Sequence, residues 1–251
     1  MKKIRQNNKI AIVTGGTSGI GLAIATKFVE QKITTIVTGR DEQKLKETEK
    51  LLGKLCVPLQ MDVTDLDHIP RHISKILAKF GRIDILVNNA GINLKKDLVS
   101  VTNEEFQQVI LTNLTGVFAI SREVSKAMIR QKKGYILNIS SMAAHYGLPK
   151  VIAYSASKAA IEGMTRSMAV ELSPLGILVN CIAPGFIKTK MSSKALNNDP
   201  DRKQRVLKRT PMGKLGLPED VANTAYFLVS EENAYITGAV IPVDGGNSIG
   251  F

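Results

Sequence analysis

Residues 10–21 read Ile-Ala-Ile-Val-Thr-Gly-Gly-Thr-Ser-Gly-Ile-Gly, an apolar run that passes directly into a glycine-rich turn. The β-branched residues favour a strand, and the apolar spacing after the turn favours a helix. Glycines permit a tight turn and let backbone N–H groups approach a pyrophosphate, which the helix N-terminus also attracts. We expect dinucleotide contacts from this turn, namely from Gly15, Thr17, Ser18, Gly19, Ile20 and Gly21.

The same alternation of strand and helix continues along the chain. Strand-like runs lie at residues 9–14, 33–38, 55–60, 83–88, 135–140, 177–183 and 239–243. Helical patterns lie at residues 19–31, 41–52, 65–80, 102–131, 152–172 and 218–230. Strands that are apolar on both faces and separated by helices indicate a parallel sheet covered on both sides. We therefore predict an α/β fold: one doubly wound, Rossmann-type domain over residues 1–251, with a seven-stranded parallel sheet and helices on both faces.

Composition limits the classes of protein that fit this chain. No apolar run is long enough to span a membrane, and the N-terminus lacks the pattern of a secretory signal. The two cysteines, Cys56 and Cys181, form no metal pattern and suit a reduced cytoplasm, so we predict a cytoplasmic protein without a metal. The net charge is +12, but basic residues are not interleaved with aromatics, so we expect no nucleic-acid or membrane partner.

Polar or small residues follow the second, third and fourth predicted strands, where open α/β sheets bind ligands. The second strand ends in Gly39-Arg40 instead of an acidic residue, and an arginine there can pair with a 2′-phosphate. This favours NADP(H) over NAD(H); the alternative is that Arg40 is a solvated arginine at the strand end with no role in cofactor binding. Further cofactor contacts are expected from Asp62, Val63, Asn89, Ala90 and Gly91.

Tyr154 and Lys158 lie four residues apart on a predicted helix and therefore share a face. A nearby ammonium would lower the pKa of the tyrosine and suit it to acid/base catalysis. Ser141 lies 13 residues before Tyr154, just after a strand, where its hydroxyl could hold a substrate oxygen. The pair alone arises often by chance, but its place after the fifth strand favours an active site.

Together these motifs resemble the short-chain dehydrogenase/reductase family along almost the whole chain. The matching residues are Thr14-Gly15-x3-Gly19-x-Gly21, Asn88-Asn89-Ala90-Gly91, Asn113, Ser141, Tyr154-x3-Lys158 and Pro184-Gly185. The resemblance implies hydride transfer between a nicotinamide cofactor and an alcohol or carbonyl substrate. It implies Tyr154 as the acid/base, Lys158 on the nicotinamide ribose, Ser141 orienting the substrate and Asn113 holding a relay water.

The resemblance also implies cofactor contacts from Pro184, Gly185, Ile187 and Thr189, and a homotetramer built on the helices that begin near residues 102 and 152. Ser18 stands where several NADP-preferring relatives carry a basic residue, which weakens the NADP(H) prediction. A non-catalytic nucleotide sensor on the same fold is a further alternative, but such proteins tend to lose the tyrosine or lysine.

Two subfamilies share parts of the sequence. The Asn-Leu-Thr-Gly segment 113–116 resembles the corresponding segment of 3-oxoacyl carrier-protein reductases. In those enzymes, arginines near the active-site cleft bind the acidic carrier protein. Lys132 and Lys133 match one of these arginine positions, whereas Leu175 stands at another where an arginine is expected. The segment 209–213 resembles sugar-acid and polyol dehydrogenases such as gluconate 5-dehydrogenase.

The long stretch 185–216 has no strand and is predicted to be a substrate lid. Residues 188–214 hold nine Lys/Arg and two Asp, a net charge of +7. Such a lid would attract an anionic substrate, whereas the alternative is a solvated helix with basic residues in water. We therefore put a sugar-acid or polyol substrate first and a 3-oxoacyl carrier-protein substrate second.

Overall fold

The computed structural model describes residues 9–189 and 200–250 and confirms the predicted α/β architecture. Seven parallel strands form one sheet in the order β3-β2-β1-β4-β5-β6-β7. The strands are β1 Ile10–Thr14, β2 Thr34–Gly39, β3 Cys56–Gln60, β4 Ile85–Asn88, β5 Gly134–Ile139, β6 Ile177–Pro184 and β7 Val240–Val243. The helices are α1 Gly19–Glu30, α2 Glu42–Leu52, α3 Ile69–Phe80, α4 Asn103–Ile110, α5 Gly116–Gln131, α6 Ile152–Leu172, α7 Pro200–Arg209 and α8 Pro218–Leu228.

Alternate residues of the strands face two separate apolar layers. Ile10 and Ile12 of β1 pack in the layer that holds α3, α5 and α6. Ala11 and Val13 point the other way, into the layer that holds α1 and α8. Both faces of the sheet are therefore covered, which explains why the strands read as continuous apolar runs and not as alternating ones.

The strand order reverses between β1 and β4, and this is where the cofactor loops meet. β1 pairs with β2 on one side and with β4 on the other. The chain leaving β1 and the chain leaving β4 therefore turn away from each other and leave a crevice at the carboxyl edge of the sheet. The glycine turn and the segment that begins at Asn89 border this crevice.

The helix predicted over residues 102–131 is divided in two. Thr102 and Glu105 form a capping box at the start of α4, as good helix starts do. One π-helical turn, Leu111–Thr115, then separates α4 from α5. Single π turns cannot be read from periodicity, and they concentrate at functional sites. At the next residue, Gly116, a side chain would collide with the Val63 carbonyl oxygen. The junction between α4 and α5 therefore packs against the segment that follows β3.

Two other boundaries differ from the sequence prediction. The helix α3 begins at Ile69 and not at residue 65, because the Asp62 carboxylate binds the backbone and hydroxyl of Thr64 and holds this segment as a turn. The stretch 185–216 contains a helix, α7, which begins at Pro200; proline is tolerated in the first turn of a helix because the N–H it lacks has no partner there. Residues 190–199 of the predicted lid lie outside the described residues. Across 9–189 and 200–250, no helix combines the length and apolar character of a membrane span.

Candidate active site

The glycine turn has the conformation that a phosphate cradle requires. Gly15 and Gly19 have φ of 63° and 53°, a region that residues with a side chain rarely adopt. The helix α1 begins at Gly19, and its first turn contains no acidic residue. Within the described chain, the Ser18 side chain makes no capping hydrogen bond. The first N–H groups of α1 therefore face the crevice without an internal acceptor, which suits a pyrophosphate.

Asn89 braces this turn from the neighbouring strand. Its amide nitrogen donates to the carbonyl oxygens of Thr14 (2.9 Å) and Gly15 (3.1 Å). The Thr14 hydroxyl oxygen in turn accepts from the backbone N–H groups of Asn89 and Ala90, both at 3.0 Å. The structure thus brings the two predicted loops together, and it gives Asn89 a task in shaping the turn that sequence reasoning did not foresee.

Arg40 and Asp62 lie side by side at the ends of β2 and β3. The Arg40 guanidinium is 3.9 Å from an Asp62 carboxylate oxygen, and the arginine side chain is 73% exposed. Partial burial acts to raise the pKa of Asp62, but hydrogen bonds from Thr64 and the Arg40 charge together hold that pKa below its usual value. An exposed cation is therefore available beside a fixed carboxylate. Val63 is buried, with its carbonyl oxygen turned toward Gly116.

The segment after β6 closes the crevice from the other side. A side chain at Gly185 would approach Asp244 to 2.6 Å, so this position is filled by a neighbouring backbone. Ile187 is buried and forms an isolated parallel bridge with Gly216. The methyl group of Thr189 would lie 3.5 Å from a side chain placed on Gly19. Of the predicted contacts in this segment, Thr189 therefore borders the glycine turn.

Ser141, Tyr154 and Lys158 converge at the carboxyl end of β5. Ser141 lies beside Tyr154, and its hydroxyl acts to lower the pKa of the tyrosine. The Ser141 hydroxyl oxygen also accepts from the N–H of Ala143 (3.1 Å), which caps a short 3₁₀ turn. The Lys158 ammonium lies 5.6 Å from the centre of the Tyr154 ring and donates to the Ile139 carbonyl (2.7 Å). The three side chains predicted from spacing thus form one cluster.

The predicted lowering of the Tyr154 pKa is wrong for this arrangement. Burial raises the pKa of Tyr154, and the Ser141 hydroxyl offsets only part of that rise. Lys158 is itself buried, and burial lowers its pKa to about 8. The physical reason is that both groups lose water, so each favours its neutral form.

Asn113 lies in the π turn and joins two parts of the site. Its side chain accepts from the Ile92 N–H (2.8 Å) and donates to the Ile92 carbonyl (2.9 Å) and the Ser157 hydroxyl (3.1 Å). A side chain at Gly91 would lie 3.1 Å from the Asn113 oxygen and 3.7 Å from the Lys158 nitrogen. Asn113 therefore holds the chain after β4 against α6, next to Lys158.

Comparison with known proteins agrees with this geometry. Residues 15–248 match the family profile described as Enoyl-(Acyl carrier protein) reductase. The 3-oxoacyl-[acyl-carrier-protein] reductase FabG of Thermotoga maritima is 42% identical over 248 residues, covering 97% of this chain and 99% of the relative. The chain belongs to the short-chain dehydrogenase/reductase family. It is an oxidoreductase that acts on CH–OH or carbonyl groups.

Solved structures of the short-chain dehydrogenase/reductase family superpose on most of the chain. ElxO with NADP bound has a TM-score of 0.90 and 37% identity, covering 96% of this chain and 98% of that one. An actinorhodin polyketide ketoreductase with NADPH has a TM-score of 0.92 and 32% identity, covering 97% and 98%.

Sequence reasoning missed a buried acid next to the Ser141–Tyr154–Lys158 cluster. Glu162 is 7% exposed and is hydrogen bonded to the Ser140 hydroxyl (2.8 Å) and the His145 Nε2 (2.9 Å). Ser140 also donates to the Lys158 carbonyl (3.2 Å). The available signal was spacing, because Glu162 lies one helical turn beyond Lys158 and so shares its face. This network ties the chain after Ser141 to α6.

The proposed carrier-docking lysines lie away from this cluster within one chain. Lys132 and Lys133 precede β5, whereas Ser141 follows it, so they lie at opposite ends of that strand. The Lys133 ammonium is paired with Glu231 at 2.8 Å, and Glu231 also binds Lys9. Lys133 is therefore partly neutralised, while Lys132 ends α5 in an exposed left-handed conformation.

Proposed function

We propose that this chain is an NADPH-dependent 3-oxoacyl-[acyl-carrier-protein] reductase. The observation that carries the proposal is the Ser141–Tyr154–Lys158 cluster beside the glycine turn. The substrate class is supported by the name of the relative that is 42% identical over nearly the full length of both chains. This reverses the order of the two substrate classes favoured by the sequence alone.

The proposed chemistry converts a ketone into a secondary alcohol. NADPH, when bound, supplies the hydride that is added to the carbonyl carbon. The Tyr154 hydroxyl donates its proton to the carbonyl oxygen, and the Ser141 hydroxyl donates a hydrogen bond that holds this oxygen in place. The raised pKa of Tyr154 keeps the phenol protonated near neutral pH, which is the form a reduction needs. Lys158 stabilises the charge that develops on Tyr154, and Asn113 positions the chain beside Lys158.

The residues present fit a dinucleotide with a 2′-phosphate. The open first turn of α1 would hold the pyrophosphate, and the small residues Ala90 and Gly91 border the same crevice. Arg40 would pair with the 2′-phosphate because its guanidinium is exposed. The Asp62 carboxylate lies 3.9 Å from this guanidinium. Asp62 would then hold Arg40 by its charge. The neighbours that carry NADP or NADPH support this preference.

Replacing Arg40 by alanine is expected to remove the preference for NADPH. We expect the wild type to bind NADPH at least about tenfold tighter than NADH, which corresponds to about 1.4 kcal/mol. Arg40→Ala should bind both alike, as measured by titrating cofactor fluorescence. Arg71→Ala, which removes an exposed arginine from α3, is the matched control and should keep the preference. Equal binding of NADH and NADPH by the wild type would contradict the assignment.

The substrate class is tested by comparing two anionic substrates with the same enzyme. We expect reduction of an acetoacetyl thioester of acyl carrier protein to exceed oxidation of gluconate in kcat/KM by at least about tenfold, since selectivity of this size needs only 1.4 kcal/mol. The second candidate, a sugar-acid or polyol dehydrogenase, is favoured by the exposed basic residues Arg205 and Lys208 of α7. Efficient gluconate oxidation without thioester reduction would establish that candidate instead.

We further propose that the enzyme works as a homotetramer in the cytoplasm. Large apolar side chains are exposed on two neighbouring helices, Phe118 (49%) and Ile129 (40%) on α5, and Ile152 (43%) and Val170 (80%) on α6. Burying them against a second copy would remove this apolar surface from water. Light scattering of the purified protein measures this assembly.

A further inference from the structure

A buried asparagine, Asn247, joins two segments, one of which begins directly after Ser141. Asn247 is 1% exposed. One segment is the post-β5 loop, residues 142–150, which begins directly after Ser141. The other is α7 with Thr210, the residue that follows it. No motif identified from the sequence includes Asn247.

Each side of the Asn247 amide contacts a different segment. The amide nitrogen donates to the Thr210 hydroxyl (2.8 Å) and to the Val206 carbonyl (3.4 Å). The amide oxygen accepts from the Tyr146 hydroxyl at 2.9 Å. Because a carbonyl can only accept, the nitrogen must face Val206, and this assigns the oxygen to Tyr146.

Arg209 adds a second connection between the same segments. Its Nε donates to the Asn247 carbonyl oxygen at 3.0 Å, and its guanidinium lies 4.8 Å from the centre of the Tyr146 ring. Burial raises the pKa of Tyr146, so its hydroxyl stays protonated and remains a donor near neutral pH. Arg209 is exposed, but its side chain is thus held against Asn247 and Tyr146.

Asn247 lies in a turn that is fixed by hydrogen bonds to Asp244. The Asp244 carboxylate accepts from the N–H groups of Gly246 (3.0 Å) and Ser248 (2.7 Å). Asp244 itself packs against Gly185, in the segment that borders the glycine turn. The turn around Asn247 therefore links α7 and the post-β5 loop to the rigid end of the sheet.

We propose that Asn247 is a positioning residue, which fixes α7 and the post-β5 loop relative to each other and so shapes the substrate side of the active site. This inference rests on the proposed function of the Ser141–Tyr154–Lys158 cluster. Because Asn247 does not contact that cluster in the described hydrogen bonds, it should act on substrate binding and leave the chemical step largely intact. It adds a determinant of substrate binding that lies outside the catalytic motifs.

The test uses Asn247→Leu, which removes both donors and the acceptor at similar volume, and Tyr146→Phe, which removes a single hydroxyl. We expect each to raise KM for acetoacetyl thioester about tenfold, with kcat changed less than about threefold and NADPH affinity unchanged. The double variant should be little worse than Asn247→Leu, because both changes break one shared contact. Tyr235→Phe, at a residue that is 98% exposed, is the matched control.

A second readout does not depend on catalysis. Trypsin should cleave after Lys208 and Arg209 several-fold faster in Asn247→Leu than in the wild type, because α7 loses its attachment. Unchanged KM and unchanged cleavage in folded variants would overturn the proposal, as would additive effects in the double variant. Should the wild type fail to reduce any thioester, the proposed function fails, and faster cleavage still reports on the role of Asn247. If Asn247→Leu does not fold, both the KM and the rate of trypsin cleavage are measured on Tyr146→Phe.

Discussion

Tyr154→Phe is expected to lower kcat about 10³-fold, which lies within the usual contribution of a positioned general acid. The change removes one oxygen, and with it the proton that our proposal transfers to the substrate carbonyl. The ring remains, so the packing of α6 and the 5.6 Å spacing to Lys158 should persist. Rates are measured by loss of NADPH absorbance at saturating thioester.

A loss of this size is informative only if binding is preserved. NADPH affinity, measured by fluorescence titration, should change less than about threefold in Tyr154→Phe, since the phosphate contacts that we propose lie at the glycine turn and at Arg40. Ser141→Ala should reproduce part of the loss, because it removes the hydroxyl that we propose holds the substrate oxygen. Activity within tenfold of the wild type would show that another group supplies the proton and would remove Tyr154 from its assigned role.

Lys158→Met is expected to lower kcat about 10²-fold, comparable with the removal of one preorganised electrostatic contact. The change deletes the ammonium that binds the Ile139 carbonyl and lies beneath the Tyr154 ring. Unlike Tyr154→Phe, it should also weaken NADPH binding, because the family resemblance assigns Lys158 to the nicotinamide ribose. Lys158→Arg, which keeps a charge, is the matched variant.

The pH dependence separates the charge of Lys158 from its packing. Burial lowers the pKa of Lys158 to about 8, so the ammonium is lost as pH rises through that value. The pH profile of kcat/KM for NADPH, which reports the free enzyme, should therefore fall above pH 8 in the wild type. Lys158→Arg should lack this fall, because arginine keeps its proton. A fall at the same pH in both enzymes would assign it to another group.

The same ionisation makes a prediction about stability with a definite sign. Because the folded pKa is below the ordinary 10.5, the unfolded chain binds more protons between pH 8 and 10.5. The free energy of unfolding should therefore rise with pH in this window relative to Lys158→Met, and the difference should be constant below it. Urea unfolding of both proteins at matched pH measures this difference.

Much of the site was predictable because its chemistry is local in sequence. The glycine turn needs positive φ at Gly15 and Gly19, and only glycine adopts this readily, so the residue types alone predict the turn. Tyr154 and Lys158 share a helical face by spacing alone. The Asp41 carboxylate likewise accepts from the Lys44 N–H at the start of α2, a local contact that an acidic residue directly before a helix favours.

Other features depend on contacts between distant residues. The π turn at Leu111–Thr115 splits a helix that the apolar pattern shows as continuous, and the reason lies in Asn113 binding Ile92 and in the lack of space at Gly116. The direction of the Tyr154 pKa shift depends on burial, which the pairing with Lys158 did not reveal. Arg209 looked like a free cation in a basic segment until its contacts with Asn247 were visible.

The sequence by itself determined the parallel α/β fold and the glycine turn, and it predicted the Ser141, Tyr154 and Lys158 side chains that the fold brings together. These follow from short-range rules: strand and helix periodicity, the φ that glycine permits, and spacing on one helical face. Only the tertiary structure decided that Asn89 braces the glycine turn, that Glu162 binds Ser140 and His145, and that Asn247 joins α7 to the post-β5 loop. Each of these pairings brings together residues of separate elements, and burial and hydrogen-bond partners across such distances arise only when the sheet has formed and its helices have packed.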